Sequence, residues 1–575
     1  MMDMITLTVD GHKVQVPRGS TVLDAAKTAG IDVPTLCYLK DVNAVGVCRV
    51  CVVEIEGAKS LQASCVTPAA EGMVVHTSTP AVREARRTVL ELIISNHPFE
   101  CLTCERSGNC ELQALADRFG IRDIEYQGER AQFTLDTSSP SIVRDPNKCI
   151  LCRRCMSVCQ KVQSVFALAP NDRGFATMIA PAFSDEVASA VCSLCGQCVL
   201  VCPTGALKER DQTEDVWEAL ADPSKHVVVQ TAPAVRASIG EECGLPPGSR
   251  VTGQLVAALR QLGFDMVFDT QFAADLTIME EGHEFISRLQ NGGKLPLITS
   301  CSPGWIKFIE HFYPDLLPHL STCKSPQQMF GAIAKTYYAE KVGIDPKDIF
   351  VVSVMPCTAK KFEARRPEMT ASGYTDVDAV LTTRELGRMI REAGIDFASL
   401  APEAYDPPLG ISTGAAVIFG ATGGVMEAAL RTVSEVVLDR EIENIDFVPV
   451  RGLEGIKEAE VNLDGQVVKV AVAHGLGNAR RLLERIRSGE ADYQFIEIMA
   501  CPGGCIGGGG QPIPTNDEIR MKRIAAIYDE DRHMPLRKSH LNPAVQDLYR
   551  EFLGKPLGPR SHELLHTHYH ARARF

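Results

Sequence analysis

Two thiols, Cys501 and Cys505, sit four residues apart inside the run Ile498-Met499-Ala500-Cys501-Pro502-Gly503-Gly504-Cys505-Ile506-Gly507-Gly508-Gly509-Gly510-Gln511-Pro512. Glycine lets a backbone come close to a bulky inorganic body and point N–H groups at its sulfurs. The run therefore reads as one wall of a metal–sulfur site. Two other segments carry thiols near expected strand ends: Thr299-Ser300-Cys301-Ser302-Pro303-Gly304-Trp305 and Met355-Pro356-Cys357-Thr358-Ala359-Lys360-Lys361-Phe362-Glu363.

Upstream, the remaining cysteines fall into groups. Cys149-x2-Cys152-x2-Cys155-x3-Cys159 and Cys192-x2-Cys195-x2-Cys198-x3-Cys202-Pro203 form a duplicated bacterial-ferredoxin run. In that arrangement the fourth cysteine of each run crosses to the other cluster. One 4Fe-4S cluster is then assigned to Cys149, Cys152, Cys155 and Cys202, the other to Cys192, Cys195, Cys198 and Cys159. His97 followed by Cys101, Cys104 and Cys110 is a ligand set for a third, with imidazole in place of one thiolate. Cys37, Cys48, Cys51 and Cys65, in a hairpin-rich stretch, fit a 2Fe-2S cluster, although their spacing also fits zinc.

The 575 residues carry 21 cysteines and a net charge of -13. Cysteines grouped this closely in a long chain, without the apolar centre of a signal peptide near Met1–Gly30, are ligands rather than disulfides. The acidic balance argues against nucleic acid as the main partner. No apolar run reaches the ~18 residues of a membrane span, so a cytoplasmic location is expected. Gly420, Gly423 and Gly424 fail the dinucleotide spacing.

The elements that must position these groups follow from patterning. Ile5–Val9 and Val14–Val16 flank Asp10-Gly11 as a hairpin, and Ser20 is placed to cap a helix ended by Gly30. Val82 to Ile94 carries a helical apolar face. Asp211–Lys225 reads as a junction. Beyond it, apolar strands such as Val227–Val229, Ile349–Val354, Val468–Val472 and Phe495–Ile498 alternate with helical stretches, the pattern of a large α/β domain with ligands at strand ends. The expected architecture is multi-domain α+β and α/β. It comprises a 2Fe-2S ferredoxin-like domain (1–80), a 4Fe-4S module with one His and three Cys ligands (81–125), a 2x4Fe-4S ferredoxin-like domain (126–210) and a large α/β catalytic domain (211–575).

Through its three thiol segments and the full set of upstream modules, the chain resembles the iron-iron hydrogenases along essentially its whole length. The resemblance implies an H-cluster, a 4Fe-4S cube joined through one cysteine sulfur to a diiron unit with carbon monoxide, cyanide and azadithiolate ligands. It implies reversible conversion of protons and electrons to dihydrogen. Cys357, Cys501 and Cys505 match cube ligands, with Cys505 bridging to the diiron unit, and Lys360 matches a lysine that hydrogen-bonds a cyanide. Met355, Met499 and Phe419 match apolar packing around the diiron unit, and Pro233, Gln327 and Ser325 fall in segments lining the same pocket. Cys301, Glu281, Ser321 and Glu284 match a proton relay with Arg288 at its surface end, and Glu363 matches a salt-bridging residue beneath the site. Without the resemblance, Glu280-Glu281 would be a solvated helix face.

Ser302 departs from the family pattern, which has a second, cube-ligating cysteine there. A serine alkoxide ligates iron, but its deprotonated form costs more than that of a thiol with pKa near ~8.5. The departure sets an alternative beside the hydrogenase: an electron-transfer or sensory protein with an impaired H-cluster. The 2Fe-2S and His/Cys modules also resemble the electron-input part of the large iron-sulfur subunit of complex I. That favours an NAD(P)H-oxidising flavoprotein and small iron-sulfur subunits as partners, with free ferredoxin as the alternative or additional one. Cys243 and Cys323 read as free buried thiols; His562, His566, His568 and His570 resemble a metal-binding tract, but a solvated, disordered tail is the favoured reading.

Overall fold

The computed structural model describes residues 3–442, 445–463 and 466–573. β1 (Met4–Val9) and β2 (His12–Pro17) form the expected hairpin. Asp10 and Gly11 turn it with φ of 45° and 84°, the sign that matches strand twist. With β3 (Val52–Ile55), β4 (Gln62–Ala63) and β5 (Val74–His76) they make a sheet ordered β2-β1-β5-β3-β4. The helix Val22–Thr28 packs on it. Its cap is Thr21 rather than Ser20, because Asp24 completes a capping box by accepting the Thr21 N–H at 2.9 Å. The helix Pro80–Ser95 starts at Thr79 and carries the chain towards His97.

The two ferredoxin-like runs fold as copies. Leu151 and Arg153 in the first have φ of 54° and 66°, and Leu194 and Gly196 in the second have 56° and 70°. Equivalent backbones therefore wrap each cysteine set. β6 (Ile142–Arg144), β7 (Ala169–Asn171), β8 (Met178–Ala180) and β9 (Leu207–Glu209) frame them as two short antiparallel pairs, β6 with β9 and β7 with β8. An arginine is tolerated at the first left-handed position but not at the second. A Cβ on Gly196 would lie 2.4 Å from Thr358 Oγ1 and 3.0 Å from Gly509 Cα.

The stretch expected as a junction is a helix, Thr213–Ala221, with Val216 and Ala219 buried in the main core. Their helical spacing gave it an apolar face that its charge obscured. Beyond it, β10 (His226–Thr231), β11 (Met266–Asp269), β13 (Ile349–Met355) and β14 (Ala379–Thr382) form an all-parallel sheet ordered β11-β10-β13-β14. A second sheet is ordered β12 (Leu297–Ile298), β17 (Phe495–Met499), β16 (Gln466–His474), β15 (Ile456–Leu463), and only the edge strand β15 is antiparallel. Cys301, Cys357 and Cys501 each follow the C-terminal end of a parallel strand, β12, β13 and β17. Ligands gather there in open α/β sheets.

The C-terminal histidine segment is not a solvated tail throughout. Thr567 N–H donates to the Thr322 carbonyl at 2.7 Å, Cys323 pairs with His566 in an antiparallel bridge, and His566 is buried. Leu564 and Leu565 supply the apolar anchor. No helix among the described residues is long and apolar enough to cross a membrane.

Lys361 and Glu385 lock the helix that carries Lys360. Both side chains are wholly buried and their charged atoms lie 2.9 Å apart. Removing one partner of such a pair leaves an uncompensated buried charge. Glu385→Ala is expected to destabilise the large domain by about 3–5 kcal/mol. Guanidinium titration followed by tryptophan fluorescence checks this, since Trp217 and Trp305, the chain's two tryptophans, both lie in that domain.

Candidate active site

The three strand ends converge on a cavity of about 80 Å³ lined by Cys301, Ser302, Cys357, Cys501 and Cys505. Lys360, Pro233, Gln327, Met355, Phe419 and Met499 also line it, as do Ala232, Thr270 and Ala274, which the sequence did not single out. Ser325 does not line it. Its hydroxyl donates to Glu363 Oε2 at 2.8 Å, and Glu363 pairs with Lys360 Nζ at 2.7 Å, so the two hold the lysine from behind. Lys360 Nζ also donates to the Cys301 carbonyl at 3.2 Å.

Burial raises all three candidate ligand thiols: Cys505 to about 12, Cys501 well above its ordinary value with Cys357 and Cys195 adding to the effect, and Cys357 as well, with Lys360 opposing the rise at both Cys357 and Cys505. Three mutually repelling sulfurs in a dry site are costly as thiolates unless a cationic centre neutralises them. The donor set therefore fits a metal–sulfur cube. Gln327 Oε1, buried without a hydrogen-bond partner among the described residues, fits a site whose remaining contacts come from a bound group. Ser302 opens the helix Pro303–Phe312 but makes no side-chain cap; its Oγ accepts the Ala500 N–H at 3.2 Å beside Cys501. That hydroxyl is available to the cavity.

The glycine run works differently from the expectation. A Cβ on Gly508 would lie 2.0 Å from the Pro356 carbonyl oxygen, and one on Gly509 2.4 Å from the Cys195 carbonyl oxygen. These two glycines admit neighbouring backbone rather than only a cluster. Cys501 Sγ consequently lies 4.0 Å from the Cys195 carbonyl oxygen.

The upstream sets assemble likewise. Cys149, Cys152, Cys155 and Cys202 line one small cavity, and Cys159, Cys192, Cys195 and Cys198 another, which is the crossed pairing. Hydrogen bonds from Cys48 and Cys65 lower the Cys37 thiol, and Cys51 is likewise lowered by Cys65, so these four sulfurs form one contact group. His97 is held neutral at about 4 by burial, and its Nδ1 has no partner among the described residues, the state a metal-ligating imidazole needs. Cys110 is raised by burial with Cys104 contributing, whereas Cys101 is exposed.

Comparison with known proteins identifies the architecture. Residues 225–509 match the family described as iron only hydrogenase large subunit, C-terminal domain, and residues 517–572 match iron hydrogenase small subunit. Residues 2–80 match a 2Fe-2S iron-sulfur cluster binding domain, 86–125 the NADH-ubiquinone oxidoreductase-G iron-sulfur binding region, and 148–206 a 4Fe-4S dicluster domain. The NADP-reducing hydrogenase subunit HndD of Solidesulfovibrio fructosivorans is 56% identical, with 100% of each chain covered. Iron hydrogenase 1 of Clostridium pasteurianum is 42% identical over 98% of this chain and 100% of its own. The structure of a variant of apo [FeFe]-hydrogenase HydA1 from Chlamydomonas reinhardtii matches with 46% identity and a TM-score of 0.57, over 63% of this chain and 99% of that one. The chain belongs to the iron-iron hydrogenases.

In this hydrogenase the residues that the resemblance matches to a proton relay lie buried together. The Cys301 thiol is raised by burial and by Glu281. Glu281 is pushed to about 8 by burial, with the Glu284 charge adding to the rise and the neighbouring Ser321 opposing it. Ser321 Oγ donates to Glu284 Oε2 at 3.0 Å, and Arg288 pairs with Glu284 at 2.6 Å. Glu280 is not solvated: its carboxylate accepts from Tyr549 and from the Leu557 N–H at 2.9 Å and pairs with His566 at 3.1 Å.

Sequence reasoning missed two supports of the hydrogenase site. Glu497, fully buried in β17, accepts the Gly423 N–H at 2.7 Å and the Met426 N–H at 2.8 Å, pinning the helix that follows Phe419. Its signal was an acidic residue inside an apolar strand. His474, kept near 4 by burial, accepts the Gly503 N–H at 3.1 Å and so orients the cysteine loop. No local pattern marks it.

The raised Glu281 has a signed consequence. An unfolded glutamate titrates near ~4.3, so between there and about 8 the folded chain keeps a proton that the unfolded chain has released. Its contribution to stability falls as pH rises through that window. Glu281→Gln is expected to lower hydrogen evolution by about 10²–10⁴-fold. Its melting temperature relative to the parent is expected to rise steadily from pH 5 to pH 8, which calorimetry measures.

Proposed function

We propose that the chain is the hydrogen-converting subunit of an NAD(P)-linked assembly, with the cube held by Cys357, Cys501, Cys505 and Ser302. The observation that carries this is the convergence of three thiols, the Ser302 hydroxyl and Lys360 on one cavity that touches Cys301 on one side and the ferredoxin-like module at Cys195 on the other. When bound, the H-cluster supplies the iron at which dihydrogen is formed or cleaved. The chain's own residues do the rest. Lys360, fixed by Glu363, presents a positive charge to the diiron position, where Met355, Met499, Phe419 and Pro233 exclude water. Cys301 and Glu281 hold protons at neutral pH, and Ser321 and Glu284 connect them to Arg288.

Electrons reach the cube through one 2Fe-2S and three accessory 4Fe-4S clusters. Cys37, Cys48, Cys51 and Cys65 hold the first. His97, Cys101, Cys104 and Cys110 hold the second, and the two crossed sets hold the rest. The match of residues 86–125 to a NADH-ubiquinone oxidoreductase-G region, and the name of the Solidesulfovibrio relative, favour a flavoprotein subunit exchanging electrons with NADP(H). Ferredoxin is the other electron carrier suited to this row of clusters.

Ser302 supports a second reading, an electron-transfer or sensory protein with little turnover. An oxygen ligand is harder than sulfur and suits the reduced cube less well. In fully matured protein we expect methyl viologen-driven hydrogen evolution to be measurable and Ser302→Cys to raise it about tenfold, which corresponds to about 1.4 kcal/mol of barrier. Absence of turnover in the parent, restored by Ser302→Cys, establishes the second reading instead.

A further inference from the structure

Outside the site just described, one group of side chains has the composition of a metal site. Ligand atoms of Glu284, Cys323 and His566, all three residues buried, lie within 4.8 Å of one another. Three separate segments build the group: the helix Thr270–Asn291, the stretch after Ser321 and the C-terminal segment. Cys323 and His566 form the antiparallel bridge, flanked by Lys324 N–H donating to the Leu565 carbonyl at 2.8 Å and Thr567 N–H to the Thr322 carbonyl at 2.7 Å. Bridged residues put their side chains on one face. That face meets Glu284.

We propose that Glu284, Cys323 and His566 bind a divalent cation of the zinc type, which closes the outer end of the proton relay. Ligand atoms around tetrahedral zinc lie about 3.3–3.8 Å apart, given bonds of about 2.0–2.3 Å. Cys323 Sγ is already 3.9 Å from Glu284 Oε2. His566 bonds Thr322 Oγ1 through Nδ1 at 2.7 Å and Glu280 Oε2 through Nε2 at 3.1 Å. Nδ1 exchanges the hydroxyl for the cation while Nε2–H keeps Glu280, giving the carboxylate–histidine–metal arrangement that orients metal-bound imidazoles.

The electrostatics favour a cation. Burial and the nearby Glu284, Glu281 and Glu280 all disfavour a thiolate at Cys323. The same carboxylates attract a dication, which takes the sulfur as its ligand and releases the thiol proton to solvent. Arg288 opposes binding, since it shares Glu284 Oε1 at 2.6 Å. His562, exposed, has its ring centroid 4.3 Å from that of His566, which marks the side from which an ion arrives. With the cation in place Glu284 no longer accepts freely from Ser321, and protons stop at that serine.

Binding stands on these residues alone, whereas the block of turnover rests on the relay assigned above. The test uses matured holoenzyme treated with chelator and then given one equivalent of Zn²⁺. Zinc K-edge absorption is expected to show one sulfur near ~2.3 Å with nitrogen and oxygen near ~2.0–2.2 Å. Hydrogen evolution is expected to fall at least tenfold and recover with EDTA, with iron content unchanged. Cys323→Ala is expected to evolve hydrogen normally without zinc, to lose the sulfur from the shell and to require at least tenfold more zinc for inhibition. A shell of four sulfurs, meaning zinc in a cluster site, or a shell without sulfur overturns the site. The expected shell with unchanged turnover overturns the block, and with it the placement of Glu284 on the proton path.

Discussion

The structure depends on one backbone contact, the packing of the second ferredoxin-like loop against the glycine run. Gly196 and Gly509 meet with no room for a Cβ on either. Because they meet, Cys195 shares a wall with Cys501 and the cavity of the large domain becomes the end of a row of cysteine sets. Arg153, at the position equivalent to Gly196, occupies the same left-handed conformation but is exposed. The difference between the two runs is thus set by the neighbour, and the neighbour is the site.

Around that contact the molecule solves a problem of burial. Thiols, carboxyls and a lysine are brought out of water, each at a cost that is offset by a partner or by neutralisation. Lys360 has Glu363, Lys361 has Glu385, and Glu497 has the N–H groups of Gly423 and Met426. Glu281 and Cys301 are offset differently, by remaining protonated. A buried neutral acid can carry a proton at neutral pH, so the same desolvation that weakens stability at Glu281 suits it to the proposed relay. The cluster thiols are the remaining unneutralised group, which is why this cavity fits a metal–sulfur body.

Local spacing carried most of the site. Cysteine gaps of two and three residues are local chemistry, and the apolar strands Ile349–Val354 and Phe495–Ile498 place Cys357 and Cys501 at strand ends. What local spacing could not carry were contacts made by distant segments. The C-terminal histidines read as solvated because polar residues surround them, yet Leu564 and Leu565 anchor the segment and His566 reaches Glu280, 286 residues earlier. Helix Thr213–Ala221 hid its apolar face among charges, and Thr21 displaced Ser20 as a cap because only Thr21 has Asp24 three residues on. His474 acts through a single bond to Gly503, for which the sequence offers no signal.

The claim that hydrogen chemistry in the cavity is wired to the upstream cysteine sets is tested by exposing oxidised, fully matured protein to dihydrogen and recording electron paramagnetic resonance. The account predicts that the gas alone reduces the accessory clusters, producing the same signals as dithionite. Clusters that dithionite reduces but dihydrogen leaves oxidised would contradict it.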